Sequence, residues 1–202
     1  NEMAQKHDYL VLNAYKISPD EKKLAFTIDT TGAEFHKLII KDLETGRILD
    51  DHLSDLDGSV EWANDNQTLF YTKLDAAHRP YQLWRHQLGD EQSQDVLIHQ
   101  EDDDRFFVEL HRTKSGAFLK MALGSNITTE VHLLDRNDPL GEWQMVQPRE
   151  QGVEYYIYHH GNYLYHLTNK DAVNFKLVRS PLGGGQGELI IPNRESTYLM
   201  EV

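Results

Sequence analysis

Apolar and polar residues alternate along most of this chain in short, strand-length runs, each closed by turn chemistry rich in Gly, Asn, Asp, Ser and Pro. The runs fall into four groups of four. The first predicts strands near 9–17, 23–29, 36–43 and 47–53, with turns at Ser18-Pro19-Asp20, Thr30-Thr31-Gly32 and Glu44-Thr45-Gly46. The second predicts 58–63, 68–74, 81–88 and 95–100, the third 106–112, 117–123, 130–135 and 143–147, and the fourth 153–159, 163–168, 175–180 and 187–191. No stretch carries a helical period, so the expected class is all-β.

The groups are copies of one unit. Ser18-Pro19-Asp20-Glu21-Lys22-Lys23-Leu24-Ala25-Phe26 aligns without gaps on Ala63-Asn64-Asp65-Asn66-Gln67-Thr68-Leu69-Phe70-Tyr71, and weaker copies centre on Leu119 and Leu164. A second register agrees, since Lys37-Leu38-Ile39-Ile40-Lys41-Asp42-Leu43 precedes Gln82-Leu83-Trp84-Arg85-His86-Gln87-Leu88 by the same offset. A period of about 40–50 residues built from four short strands predicts propeller blades. The expectation is a single partial β-propeller over 1–202, with blades near 6–56, 57–103, 104–150 and 151–195, and 196–202 opening a further blade. A blade buries its faces only against its neighbours, so an arc of blades is expected to leave two apolar sheet faces open and to self-associate through them.

Composition narrows the function classes. The 202 residues are 39% hydrophobic and 26% charged, with no run of about 18 apolar residues that would cross a membrane. There are no cysteines, which removes disulfides and zinc–thiolate sites together, and Asn1 to Asp8 lacks the basic-then-apolar pattern of a signal peptide. The expected location is therefore cytoplasmic. The formal net charge of −13 argues against binding a phosphate backbone and favours cationic ligands such as Arg- and Lys-rich peptides.

Candidate chemistry is sparse. No Gly-x-Ser-x-Gly is present, so the strained elbow of an α/β-hydrolase nucleophile is missing, and His159-His160 has no partner at metal-ligand spacing. Gly183-Gly184-Gly185-Gln186-Gly187 is followed by neither Lys-Ser nor Lys-Thr and is read as a hairpin, not a phosphate loop. The acidic run Glu101-Asp102-Asp103-Asp104 lacks the alternation and glycine of a calcium loop; it is read as a solvated connection between blades that attracts basic substrates electrostatically. No catalytic residue, metal or cofactor is expected.

Several strings in this order resemble the oligopeptidase B (protease II) branch of the prolyl oligopeptidase family. They are Ser18-Pro19-Asp20, Asp42-Leu43-Glu44-Thr45-Gly46, Trp62-Ala63-Asn64-Asp65, Arg79-Pro80-Tyr81-Gln82-Leu83-Trp84-Arg85-His86, Glu101 to Phe107, Gly152-Val153-Glu154-Tyr155, Asn174 to Arg179 and Glu188 to Pro192. The resemblance implies a serine peptidase whose C-terminal α/β-hydrolase domain is capped by a seven-bladed propeller and which cleaves short peptides after Arg or Lys. On that reading this chain is an internal, four-blade, non-catalytic part of the cap that filters and gates substrate access. A free-standing propeller that binds protein partners is the alternative, and the gene's coding sequence beyond Val202 separates the two.

Overall fold

The computed structural model describes residues 4–200. Fifteen strands account for its regular structure, with single 3-10 turns at Ala4–Lys6 and Gln92–Gln94. The strands are β1 (Val11–Ile17), β2 (Lys23–Asp29), β3 (His36–Asp42), β4 (Leu53–Trp62), β5 (Thr68–Leu74), β6 (Pro80–Gln87), β7 (Val96–Gln100), β8 (Phe107–Arg112), β9 (Phe118–Gly124), β10 (Thr129–Asp135), β11 (Gln144–Gln147), β12 (Tyr155–His160), β13 (Tyr163–Thr168), β14 (Lys176–Pro181) and β15 (Glu188–Ile191). All pairings are antiparallel between sequence neighbours, as hairpin-length turns require.

Three hydrogen-bonded sheets result: β1 to β7, β8 to β11 and β12 to β15. The alternation along each strand turns one set of side chains to each face; one core, with Ala25, Leu38, Ile40, Val60, Trp62 and Tyr71, lies within the first sheet where its two halves face each other, and two more lie between sheets. Phe70 and Leu83 of the first sheet pack with Val108, Leu119, Met121 and Leu123 of the second. Val131 and Leu133 of the second meet Tyr155, Ile157 and Leu164 of the third. Sheets stacked face to face in sequence order, each carrying half of a shared core, are the arrangement of propeller blades.

The first two predicted strand groups are linked through β4 into one hydrogen-bonded sheet. The strand expected at 47–53 is reduced to the Lys41–Ile48 bridge and two hydrogen bonds at 2.8 Å, from Asp42 N–H to Arg47 O and from Leu49 N–H to Ile40 O. The ladder resumes at Leu53, where β4 pairs first with β3 and then, after an irregular register, with β5. Two left-handed positions, Asp55 (φ 61°) and Gly58 (φ 110°), let one strand serve both partners. Gly58 is required there, because a Cβ would stand 2.0 Å from Asn13 Nδ2 and 3.2 Å from His36 Nδ1. The stretch 196–200 of the expected further strand makes no ladder: Thr197 bridges back to Arg194, and Leu199 N–H donates to Asn174 O. Residues 201 and 202 of that expectation lie outside the described residues.

The two outer faces carry exposed apolar side chains. Leu12, Tyr15 (68% exposed) and Ile17 mark β1, and Tyr156, in register with Leu167, Leu177 and Ile191, marks the last sheet. Among the described residues, no helix is long and apolar enough to cross a membrane.

Candidate functional site

At one end of the sheets the topology repeats a simple device: the turn between the second and third strands of a group packs on the connection leading into the next group. In the third group Thr129 N–H donates to Val153 O and Gly152 N–H to Thr128 Oγ1. In the fourth, Asn174 Nδ2 donates to the carbonyls of Arg194 and Glu195. In the second, the turn Asp75–Arg79 holds the connection that contains Glu101 to Asp104. Arg79 Nη1 donates to the carbonyls of Glu101, Asp103 and Phe106 at 3.2, 3.1 and 2.8 Å, and its Nε is tied to Asp75 at 2.9 Å. A single guanidinium therefore fixes the shape of the acidic run, using the fork of donors that lysine lacks.

The four acidic side chains meet different fates. Glu101 is buried, at 5% exposure, and its carboxylate pairs with Arg149 while accepting from Asp103 N–H at 2.9 Å. Asp103 is clamped by Arg105, with Nη2 to Oδ2 at 2.6 Å; the hydrogen bonds and charge of Arg105 hold its carboxyl at about 2. Asp102 and Asp104 are presented at the surface, and Asp102 accepts one hydrogen bond from Gln100. The run is thus half structural, with two carboxylates compensated internally and two turned to solvent.

Arg149 is the centre of a network that the sequence pattern does not reveal. It pairs with Glu101 and with Glu130, the latter at 3.2 Å, and its guanidinium lies 3.9 Å from the centroid of Phe106. Glu130 also meets His132 Nε2 at 2.8 Å, and His99 lies beside His132 with ring centroids 6.4 Å apart. Burial pushes the His99 imidazole down, which keeps it neutral next to the guanidinium. These partners come from β7, β10 and the connections 101–106 and 148–154, so the network ties the first sheet to the second. Signals in the sequence were faint: Arg149 follows a proline in a polar stretch, and nothing local marks its partners.

A second buried cluster lies in the first sheet. His86, with no exposed surface, sits between Asp95 (Nδ1 to Oδ1, 2.7 Å) and Asp51 (Nε2 to Oδ1, 3.2 Å), and Tyr71 donates its hydroxyl to Asp95 at 2.6 Å. Burial alone would depress the imidazole, but hydrogen bonds and charge from Asp95 and then Asp51 raise it, favouring the protonated ring. Gly89 N–H supplies a further donor to Asp51 at 2.6 Å. Lacking any exposed surface on the imidazole, this group staples β5, β6 and the connection into β4, and presents nothing to a substrate. His159, which the sequence paired with His160, contacts Ser115 at 2.8 Å and stacks edge-on against Phe118. Among the described residues no group of three or more His, Asp or Glu side chains converges as a metal ion requires.

The opposite end of the sheets has its own clamp. Arg136, buried, donates to Trp62 O at 3.0 Å and Gly116 O at 2.7 Å, while Asn64 N–H donates to Arg136 O. Both ends are therefore locked between sheets by arginines that bind backbone carbonyls.

Stacked antiparallel sheets with shared cores and arginine-clamped turns define a partial β-propeller. The sequence matches the N-terminal β-propeller domain of prolyl oligopeptidase along residues 1–202, and the chain belongs to that family. It is 36% identical to Protease 2 of Moraxella lacunata over its whole length, which is 30% of that protein. Its fold superposes on oligopeptidase B from Leishmania major with a TM-score of 0.92 at 28% identity, covering 99% of this chain and 29% of that one. Oligopeptidase B from Trypanosoma brucei, in a closed form with covalently bound antipain, gives 0.86 at 31% identity, covering 96% of this chain and 28% of that one. The chain thus spans under a third of the relatives it matches.

Proposed function

We propose that this chain is a four-blade portion of a seven-bladed cap on a cytoplasmic serine peptidase of the oligopeptidase B type. It filters and gates access to a C-terminal α/β-hydrolase domain that cleaves short peptides after Arg or Lys, and it contributes no catalytic residue of its own. The observation that carries this reading is the likeness to oligopeptidase B along the entire chain, in sequence and in fold. A ring of stacked sheets excludes folded proteins by size while an extended peptide can pass or enter as the cap opens. The exposed apolar faces at β1 and the last sheet are read as surfaces covered by the remaining blades, and as self-association surfaces when the chain is isolated.

Within this account Asp102 and Asp104 are the members of the acidic run that attract basic peptides, because Glu101 and Asp103 already have partners. The test is kcat/KM of the full-length enzyme on a short Arg-containing peptide as ionic strength is varied. Asp102→Lys with Asp104→Lys is expected to lower kcat/KM roughly three- to tenfold at low salt, with the loss shrinking as salt screens it. A variant with the wild-type salt dependence overturns the electrostatic role. Failure of the wild type to cleave Arg and Lys peptides overturns the peptidase assignment itself.

A further inference from the structure

The junctions between neighbouring strand groups are not filled alike. Where the two halves of the first sheet face each other, Leu49, Trp84 and Leu88 pack on the core around Trp62 and Tyr71. Between the first and second sheets the core holds ten buried residues among those described, and Trp143, from the connection between β10 and β11, reaches back edge-on to Phe70 at 5.6 Å. Between the second and third sheets the buried core among the described residues is five, and beside it lies a cavity of about 1050 Å³ walled by both sheets. Phe118, Leu133, Val146 and Leu164 belong both to that core and to the cavity wall. The cavity is therefore an unfilled continuation of the core toward the outer strands β11 and β14.

Particular residues leave this gap. Leu69, Leu119 and Leu164 hold equivalent places in their groups, and their cross-strand neighbours differ. Leu69 stands opposite His86, with Tyr71 opposite Trp84, and Leu119 stands opposite Leu134. Leu164 stands opposite Ser180, with His166 opposite Val178. Small side chains thus occupy the places of Trp84 and Leu134, and the His166 ring is turned to Ser180, with Nε2 2.8 Å from Oγ. In place of the connection that carries Trp143, the last group has Gly183-Gly184-Gly185-Gln186-Gly187, whose glycines line the cavity and put no side chain into it. The ties across the junction sit on β12. Val131 N–H donates to Tyr155 Oη at 2.8 Å, Tyr155 Oη donates to Gln147 O at 2.5 Å, and His159 meets Ser115 at 2.8 Å. The clamps made by Arg79, Arg136 and Arg149 serve the junction of the first two sheets instead.

Close-packed interiors resist deformation, and a gap forfeits the contacts that would oppose it. An arc tied along one strand and open beyond it bends there first. We propose that the junction between the second and third sheets is the flexing joint of this arc, gaping and closing about β12. The connection 183–187 yields as it moves, with Gly184 and Gly185 already at φ 87° and 132°. The inference rests on the gating reading of the function and gives the gate a place: the movement that admits a peptide includes this wedge.

The test uses the full-length protein and two readouts. Hydrogen exchange compares β14 with β10, each the third strand of its group and paired on both sides. Exchange in 176–181 is expected to be roughly tenfold faster than in 129–135. Two variants fill the gap: Ser180→Leu copies the pairing of Leu119 with Leu134, and Val178→Phe spares the contact of His166 with Ser180, so a folding failure in one leaves the other. Each is expected to slow exchange in 176–181 about threefold, and to lower kcat/KM about threefold more for a long basic peptide than for a single-residue Arg amide, which needs a smaller opening. Equal protection of β14 and β10 in the wild type, or filled variants that exchange no more slowly, overturns the joint. Slowed exchange with cleavage of both substrates unchanged, or reduced equally, overturns its part in admitting peptides. Should the wild type cleave no basic peptide at all, the functional reading fails, while the exchange comparison still decides whether this junction flexes.

Discussion

Replacing Arg149 by methionine removes the guanidinium shared by Glu101 and Glu130, whose side chains are 6% and 11% exposed. Methionine keeps much of the stem that covers Phe106, so the change isolates charge. What remains for Glu101 is Asp103 N–H and the distant His99; for Glu130 it is His132. Removing one member of a buried ion pair costs about 3–5 kcal/mol because the surviving charge stays buried. The residual partners and the partial exposure of Arg149 favour the lower figure, and loss of the contact over Phe106 adds up to about 1 kcal/mol. A net loss of about 3 kcal/mol corresponds to roughly a hundredfold faster exchange wherever opening of this junction limits exchange. The assay is hydrogen exchange of the full-length protein, read in 96–107 and 129–135. Less than threefold faster exchange in those segments would refute the reasoning.

Three further outcomes are expected from the geometry. Gly58→Ala meets both the Asn13 contact and a left-handed backbone, and is expected to cost about 2–4 kcal/mol; Asn13→Ala in the same chain relieves only the contact, which thermal unfolding of the pair of variants measures. Because the His86 value is raised in the folded protein, its stabilisation is complete below about pH 6.5 and is lost as pH rises through the folded value; His86→Gln should remove that alkaline decline from Tm against pH. Leu119→Ala, in the core shared by the first two sheets, is expected to cost about 2–5 kcal/mol, and a chemical-denaturation loss under 1 kcal/mol would show that this core does not hold the sheets together.

Alternation and turn chemistry were enough to find β2, β5 and β13 to the residue and most other strands within one or two positions, since each is a hairpin partner of its sequence neighbour. The junction at β4 was hidden. Leu53-Ser54-Asp55-Leu56-Asp57-Gly58 reads as a break between strands, and only the left-handed values at Asp55 and Gly58 reveal one strand bent through two ladders. The acidic run was visible as composition, but its division into compensated and free carboxylates depends on Arg149, 48 residues from Glu101, and on Arg79, whose role is to bind carbonyls. Long-range arginine clamps and strand bends leave no periodic trace, whereas sheet faces do.

The most direct test of the central claim is fluorophosphonate labelling of the native gene product, with this 202-residue chain as control, followed by cleavage of short Arg and Lys peptides. The account predicts that a polypeptide about three times this size labels and cleaves those peptides while this chain does neither. A native product that never labels, or that labels without acting on basic peptides, would contradict it.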